Sequence, residues 1–120
     1  MNFAHLAGLF APIASATVEI VAFAYLDSAG RVLGLRHIRS GDTLCIDVPI
    51  RTVARDALSF DAKLVAMAHN HPSGHAEPSR NDLTVTRLVV TVFNALGIRL
   101  VDHLVLGGGA IVSLRARGLL

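Results

Sequence analysis

The chain has 120 residues, of which 52% are hydrophobic, and this length predicts a single domain over residues 1–120 with a core of its own. The net charge is only +2, and the ten Arg and one Lys are scattered along the sequence, which gives little support to a clustered nucleic-acid-binding face. A single cysteine, Cys45, excludes a disulfide framework and a thiolate zinc cluster, and no apolar run is long enough to cross a membrane.

The N-terminal segment predicts a short helix rather than a secretion signal. Residues 3–11 are apolar enough to form a helix, which Pro12 ends. The sequence Ala14-Ser15-Ala16 resembles a signal-peptide cleavage site, but no basic segment precedes it. We therefore expect a cytoplasmic protein.

A β-hairpin and a second helix follow in the sequence. The apolar residues 18–26 and 31–38, joined by a turn that contains Gly30, are typical of paired strands covered on both faces. After the break at Ser40-Gly41-Asp42, residues 43–46 predict a short extra strand. Asp47 and Pro49 then indicate the start of a helix that runs to about Phe60.

The second half of the chain predicts a strand, a long helix and another hairpin. Residues 64–68 form a short apolar run that leads into a histidine-rich segment. A helix starts after Ser79 and is closed by Gly97. Residues 98–106 and 110–114 predict the last two strands, with three glycines between them. This order of elements predicts an α/β fold with a mixed sheet and helices packed on it.

The segment after the central strand concentrates potential metal ligands. His69 and His71 are two residues apart, so an extended backbone points both imidazoles to the same side. Pro72 favours the extended conformation at His71. Zinc prefers nitrogen and carboxylate ligands in a tetrahedron, and catalytic sites leave one position for water. Together with Asp82, the two histidines supply three such ligands.

A hydrolytic zinc site also needs a group that moves protons. The chain has two glutamates, and Glu77 lies in the loop between the candidate ligands, where we expect it to be solvated. Glu19 opens an otherwise apolar strand, where an unpaired carboxylate is costly unless it serves a purpose such as activating water. Ser79 is a candidate hydrogen-bond donor to an oxyanion.

Structural roles compete with each of these assignments. A histidine at the end of a strand is more often structural than a ligand when it stands alone. Residues 79–82 also form a plausible capping box in which Asp82 replaces the usual Glu, and Glu19 has the alternative of pairing with an Arg. His103, beside Asp102 in a predicted strand, is either structural or close to the site.

At these residues the chain resembles the JAMM signature of the MPN+/JAB metalloprotease-like domains. That signature consists of an upstream glutamate, here Glu19, and the pattern His69-x-His71-Pro72-x6-Ser79-x2-Asp82. A longer sequence pattern around this signature resembles the bacterial RadC branch of these domains. It is carried by residues 68–74, Pro78-Ser79, Leu96-Gly97-Ile98, Asp102-His103 and residues 112–120.

The resemblance implies a three-layer α-β-α fold like that of the cytidine deaminases, and hydrolysis of peptide or isopeptide bonds. It also implies that His69, His71 and Asp82 bind Zn²⁺, that Glu19 is the acid/base and that Ser79 supports the oxyanion. Two features depart from the branch. The chain has no room for the N-terminal helix-hairpin-helix DNA-binding segment of full-length RadC-like proteins, and the turn at residues 107–109 is unusually rich in glycine.

Three functions are therefore expected from the sequence. The first is a zinc metallopeptidase acting on an unknown peptide or protein. The second is a DNA-repair-associated RadC-like module, and the third is a zinc-stabilised interaction domain without catalysis. A base deaminase is a poorly supported fourth hypothesis, because its His-x-Glu and Pro-Cys-x-x-Cys elements are absent from the sequence.

Overall fold

The computed structural model describes residues 2–39 and 48–120. Its elements follow the predicted order and are α1 (Phe3–Phe10), β1 (Ile20–Leu26), β2 (Val32–Arg39), α2 (Ile50–Ser59), β3 (Leu64–Asn70), α3 (Arg80–Ala95), β4 (Arg99–Gly107) and β5 (Ala110–Ser113). The predicted break at residues 40–42, the short strand at residues 43–46 and the helix-start residue Asp47 lie outside the described residues. Within the described ranges, every helix is too short or too polar to span a bilayer.

The five strands form one mixed sheet in the order β2-β1-β3-β4-β5. Only the β3–β4 pair is parallel, and the other three pairs are antiparallel. Helix α3 connects the two parallel strands, as a parallel pair requires a crossover. The predicted α/β fold with a mixed sheet is confirmed.

Helices cover both faces of this sheet, which gives three layers. On one face, α2 and α3 bury Val53, Val89 and Phe93 against the strands. On the other face, α1 buries Leu6 and Phe10 against small residues of the central strands. Successive residues of a strand point to opposite faces, so each residue of β3 belongs either to the α3 side or to the α1 side. The three-layer α-β-α arrangement is therefore confirmed.

The first strand begins later than the sequence predicts. Helix α1 ends at Phe10, and Pro12 lies in a 3₁₀ turn over Ala11–Ile13. Strand β1 starts at Ile20 rather than at residue 18, because the carbonyls of Ala16 and Val18 accept hydrogen bonds from the side chain of Asn70 instead of from a neighbouring strand. Glu19 consequently lies one residue before the strand that it was predicted to open.

Candidate metal centre

The end of β3 and the start of α3 bring His69, His71 and Asp82 together. The Nε2 atoms of the two histidines are 2.9 Å apart, and Asp82 Oδ2 lies 3.3 Å from His69 Nε2 and 3.1 Å from His71 Nε2. All three ligand atoms lie within 4.8 Å of one another. His69 and Asp82 are buried, and His71 is half-buried. The three predicted ligands thus converge on one point at the rim of the sheet.

Asp82 reaches this point because it takes part in a capping box at the start of α3. Its Oδ2 accepts the backbone N–H of Ser79 at 2.8 Å, and its own N–H donates to Ser79 Oγ at 3.0 Å. Burial alone would raise the pKa of the Asp82 carboxyl, but His69, the Ser79 N–H and His71 hold that pKa well below its usual range. The helix-capping role and the candidate ligand role of Asp82 are therefore compatible, because one carboxylate can have both.

The loop after β3 orients the ring of His71. His71 Nδ1 is 2.7 Å from the backbone carbonyl of His75, and a carbonyl can only accept, so Nδ1 carries the ring proton. In the neutral ring this leaves the lone pair on Nε2, which faces His69 and Asp82. The His71 backbone N–H also donates to the carbonyl of Leu106 at 2.7 Å, so the loop is tied to the end of β4.

The glycine-rich turn packs directly against this loop. A Cβ on Gly108 would overlap the carbonyl oxygen of Gly74, and a Cβ on Gly107 would lie 3.0 Å from the backbone of His75 and Ala76. Only glycine allows such an approach of two backbones without displacement. Close contact with the segment that orients His71 thus explains Gly107 and Gly108 of the turn, whereas Gly109 has open space around it and a positive φ.

Glu19 lies near the centre and has a carboxylate oxygen without a hydrogen-bond partner among the described residues. Its Oε1 is buried, and within the described parts of the chain no group donates a hydrogen bond to it and no Arg is close enough for an ion pair. Burial raises the pKa of Glu19 above its ordinary value, the neighbouring His69 and His71 oppose this rise, and Asp82 adds to it. An unsatisfied buried carboxylate oxygen is costly, which points to a polar occupant beside it.

Asn70 fixes the backbone on which Glu19 is carried. Asn70 Oδ1 accepts the N–H of Ile20 at 2.6 Å, and its Nδ2 donates to the carbonyls of Ala16 and Val18 at 3.2 and 3.0 Å. The side chain lies between the two histidines in sequence but points to the α1 face. All its hydrogen-bonding groups therefore serve the segment that positions Glu19.

His103 lies beside the candidate metal centre, in contact with the ring of His69. Its Nε2 is 2.7 Å from His69 Nδ1, and its Nδ1 is 2.6 Å from Thr86 Oγ1. Burial lowers the pKa of His103 well below its ordinary value, so the ring is neutral. This settles the open question about His103 in favour of a place beside the site.

The donor set fits zinc. Two imidazole nitrogens and one carboxylate oxygen, with a fourth position left for water, form the ligand pattern of a catalytic zinc site. His71 directs a lone pair at the point where the three atoms meet, and the negative Asp82 lies beside it. A cation between acceptor atoms this close to one another would offset the repulsion between their lone pairs. Because no thiol is among them, oxygen- and nitrogen-binding metals are favoured over those that select sulfur.

The three residues predicted as ligands lie together in the structure, and two further polar residues contact them or the segment of Glu19. The ligand atoms of His69, His71 and Asp82 converge, and all three residues influence the pKa of Glu19. Ser79 is joined to Asp82 by the capping box and is exposed. Asn70 and Thr86 were not singled out. Each is a polar residue on a face that is otherwise apolar, Asn70 among buried strand residues and Thr86 on the buried side of α3. A buried polar group needs a partner, and that rule would have marked both.

Residues 3–119 match the family model described as RadC-like JAB domain. The chain belongs to this family. The RadC-like domain is 41% identical over 102 residues to a UPF0758 protein of Marinobacter nauticus, which covers 85% of the chain and 46% of that relative. It is 40% identical over 100 residues to a UPF0758 protein of Cellvibrio japonicus, and this match covers 83% of the chain and 45% of that relative. The RadC-like domain thus spans a little under half of the length of these relatives, and the predicted resemblance is confirmed.

Proposed function

We propose that this RadC-like domain is a zinc-dependent hydrolase of the JAMM type that cleaves peptide or isopeptide bonds. In this proposal His69, His71 and Asp82 bind the zinc ion. Glu19 takes a proton from the attacking water and returns it to the leaving amine, and Ser79 donates a hydrogen bond to the oxyanion. The other two expected functions differ from it in measurable ways.

One observation carries the proposal: three ligand atoms converge beside a buried carboxylate oxygen that has no hydrogen-bond partner in the described residues. A purely structural zinc site is closed by a fourth protein ligand and has no use for such a carboxylate. Zinc bound here supplies a Lewis acid that polarises the scissile carbonyl and lowers the pKa of water. The raised pKa of Glu19 suits a group that must both accept and release a proton near neutral pH.

Two observations support the role proposed for Ser79. Its Oγ uses a lone pair to accept the N–H of Asp82, and this bond does not require the hydroxyl hydrogen. The residue is exposed, as a group that meets an incoming substrate must be. The hydroxyl hydrogen is therefore available to a developing negative charge on a substrate oxygen.

The first test is the metal content of the natively purified protein. We expect close to one equivalent of zinc in the wild-type protein and a large loss in Asp82→Ala. Less than about half an equivalent in the wild type, unchanged in Asp82→Ala, would contradict the proposal.

The second test separates catalysis from zinc binding. Glu19→Gln should keep the zinc and the fold but lose cleavage of quenched fluorescent peptides and of an isopeptide-linked peptide pair. Glu77→Gln is a matched control, because Glu77 is the other glutamate of the chain and lies on the surface, where it contacts Arg117. Full cleavage by Glu19→Gln would exclude Glu19 as the proton carrier. No cleavage by the wild type and by Glu77→Gln, although zinc is bound, would favour a zinc-stabilised interaction domain without catalysis.

Association with DNA is the remaining expectation. It predicts binding to short duplex DNA with an affinity that falls steeply as salt rises. Arg31, Arg36 and Arg117 each pair with a carboxylate, which reduces the cationic surface that they offer to phosphates. No feature of the described residues favours this function over hydrolysis.

A further inference from the structure

A buried series of hydrogen bonds runs from the backbone of one candidate ligand to the ring of another. Thr86 Oγ1 is 2.6 Å from the carbonyl oxygen of Asp82 and 2.6 Å from His103 Nδ1. His103 Nε2 is in turn 2.7 Å from His69 Nδ1. Thr86, His103 and His69 are each no more than 1% exposed, so water cannot replace any of these partners.

The chemistry of these groups fixes the direction of every proton in the series. The Asp82 carbonyl can only accept, so the Thr86 hydroxyl must donate to it. The hydroxyl has a single hydrogen, and Thr86 Oγ1 must therefore accept from His103, which places the His103 ring proton on Nδ1. A neutral imidazole has one ring proton, so His103 Nε2 is an acceptor and His69 Nδ1 is the donor.

These proton positions determine whether His69 Nε2 directs a lone pair or an N–H group at the candidate metal centre. With its proton on Nδ1, the ring of His69 directs the lone pair of Nε2 at His71 and Asp82. The opposite tautomer would direct an N–H at the same point and exclude a metal ion. The ring that binds a metal is commonly oriented by a hydrogen bond from its other nitrogen, often to a carboxylate. Here the partner is an uncharged His–Thr pair.

We propose that Thr86 and His103 are positioning residues that hold His69 in the Nδ1–H tautomer and thereby prepare its Nε2 to bind the metal. The proposal rests on the assignment of His69, His71 and Asp82 as zinc ligands. Because the series begins at the carbonyl of Asp82, it also couples the placement of the His69 ring to the first turn of α3, which supplies the carboxylate ligand.

The first experiment needs no variant and no metal. Long-range ¹H–¹⁵N correlation spectra of the zinc-free wild-type protein report which ring nitrogen of each histidine carries a proton. We expect Nδ1–H for both His69 and His103. A His69 ring in the zinc-free protein with its proton on Nε2 and none on Nδ1 would overturn the proposal, whether or not the protein binds zinc.

The second experiment removes the hydroxyl that directs the series. Thr86→Val has nearly the same shape as the wild type but leaves the His103 Nδ1–H without an acceptor. His103 is then expected to move its proton to Nε2 and donate to His69, so that the His69 proton moves to Nε2. We expect zinc affinity to fall by about 10- to 100-fold, the usual effect of losing such a partner. Thr86→Ser retains a hydroxyl and should restore both the tautomer and the affinity.

Thr91→Val is the matched control on the same helix. Thr91 also donates its hydroxyl to the carbonyl four residues earlier, that of Arg87, at 2.9 Å, but it is exposed. Its substitution should leave the His69 tautomer and the zinc affinity unchanged. If Thr86→Val matches Thr91→Val in both measurements while the wild type binds zinc, the positioning role is overturned and the proposed hydrolase stands. If the wild type binds no zinc but shows the expected tautomers that Thr86→Val reverses, the series is upheld and the zinc assignment fails.

Discussion

The side-chain carbonyl of Asn70 accepts the backbone N–H of Ile20 at 2.6 Å, and this bond joins the end of β3 to the residue that follows Glu19. His69 points to the α3 face of the sheet and Asn70 to the α1 face, so neighbouring residues of one strand serve two different tasks. One supplies a candidate ligand, and the other fixes the segment that carries the candidate proton carrier. The candidate ligand His69 and the carboxylate of Glu19 are thus positioned by the same strand end.

Replacement of Asn70 should separate zinc binding from catalysis. Asn70→Leu removes the three hydrogen bonds to residues 16–20 and leaves the Ile20 N–H without its acceptor, which costs about 1–3 kcal/mol of unfolding free energy. We expect zinc content to persist and peptide hydrolysis to be lost, as measured by metal analysis and turnover of the same sample. Asn94→Leu, at an exposed position of α3, is the control. Full hydrolysis by Asn70→Leu would show that the Glu19 segment needs no such support.

The glycine turn gives a second prediction about the loop that orients His71. Gly108→Ala would place a methyl group on the carbonyl oxygen of Gly74, whereas Gly109→Ala has open space around it. Both positions have positive φ, so each variant carries a backbone cost of about 1–2 kcal/mol. Gly108→Ala alone should also lower zinc affinity, because it displaces the loop. Isothermal titration with zinc should distinguish the two variants, and equal affinities would contradict the steric argument.

The shared role of Asp82 predicts that helix capping and metal binding can be lost independently. Ser79→Ala removes the cap acceptor and should lower the unfolding free energy of the zinc-free protein by about 0.5–2 kcal/mol, while added zinc still raises the Tm. Asp82→Asn keeps an oxygen that can accept the Ser79 N–H but loses the charge needed by the metal. We expect Asp82→Asn to abolish the rise in Tm on addition of zinc. A normal rise in this variant would exclude Asp82 as a ligand.

An ion pair far from the centre should govern part of the acid stability. Arg36 donates two hydrogen bonds to Asp56, and Tyr25 donates a third, so the pKa of the Asp56 carboxyl is below its ordinary value in the folded state. Since this pKa is depressed, the stabilisation is present above the unfolded-state pKa of about 3.9 and is lost as pH falls through the folded-state value. Urea unfolding between neutral and acidic pH should show a shallower acid slope for Asp56→Asn. An unchanged slope would show that the pair contributes nothing.

The sequence was sufficient for the order of the described elements and for the candidate ligands that converge in the structure, because both depend on local patterns. Apolar runs marked β1, β3 and β4, and the spacing of His69 and His71 follows the repeat of an extended chain. The start of β1 was placed too early, since the bonds that end it come from Asn70, fifty residues away along the chain. Long-range contacts of this kind leave no periodic signal.

Long-range contacts also explain why the sequence did not predict the roles of the supporting residues. Thr86 and His103 meet only because α3 crosses from β3 to β4 and packs its first turns beside both strands. The glycine turn was noticed as an exception, but its cause lies in the backbone of residues 74–76, which approaches it only in the folded chain. Spacing in the sequence identifies ligands, whereas their orientation depends on the tertiary structure.

The alternation of side chains at the end of β3 restricts how this part of the chain can change in length. A single-residue insertion or deletion within β3 would exchange the two faces of every residue beyond it. His69 would then point toward α1 and Asn70 toward α3, and the candidate ligand and the support of Glu19 would be lost in one step. In members of this family, insertions and deletions are therefore expected in the connections between elements. The last residues of this strand are expected to vary by substitution alone.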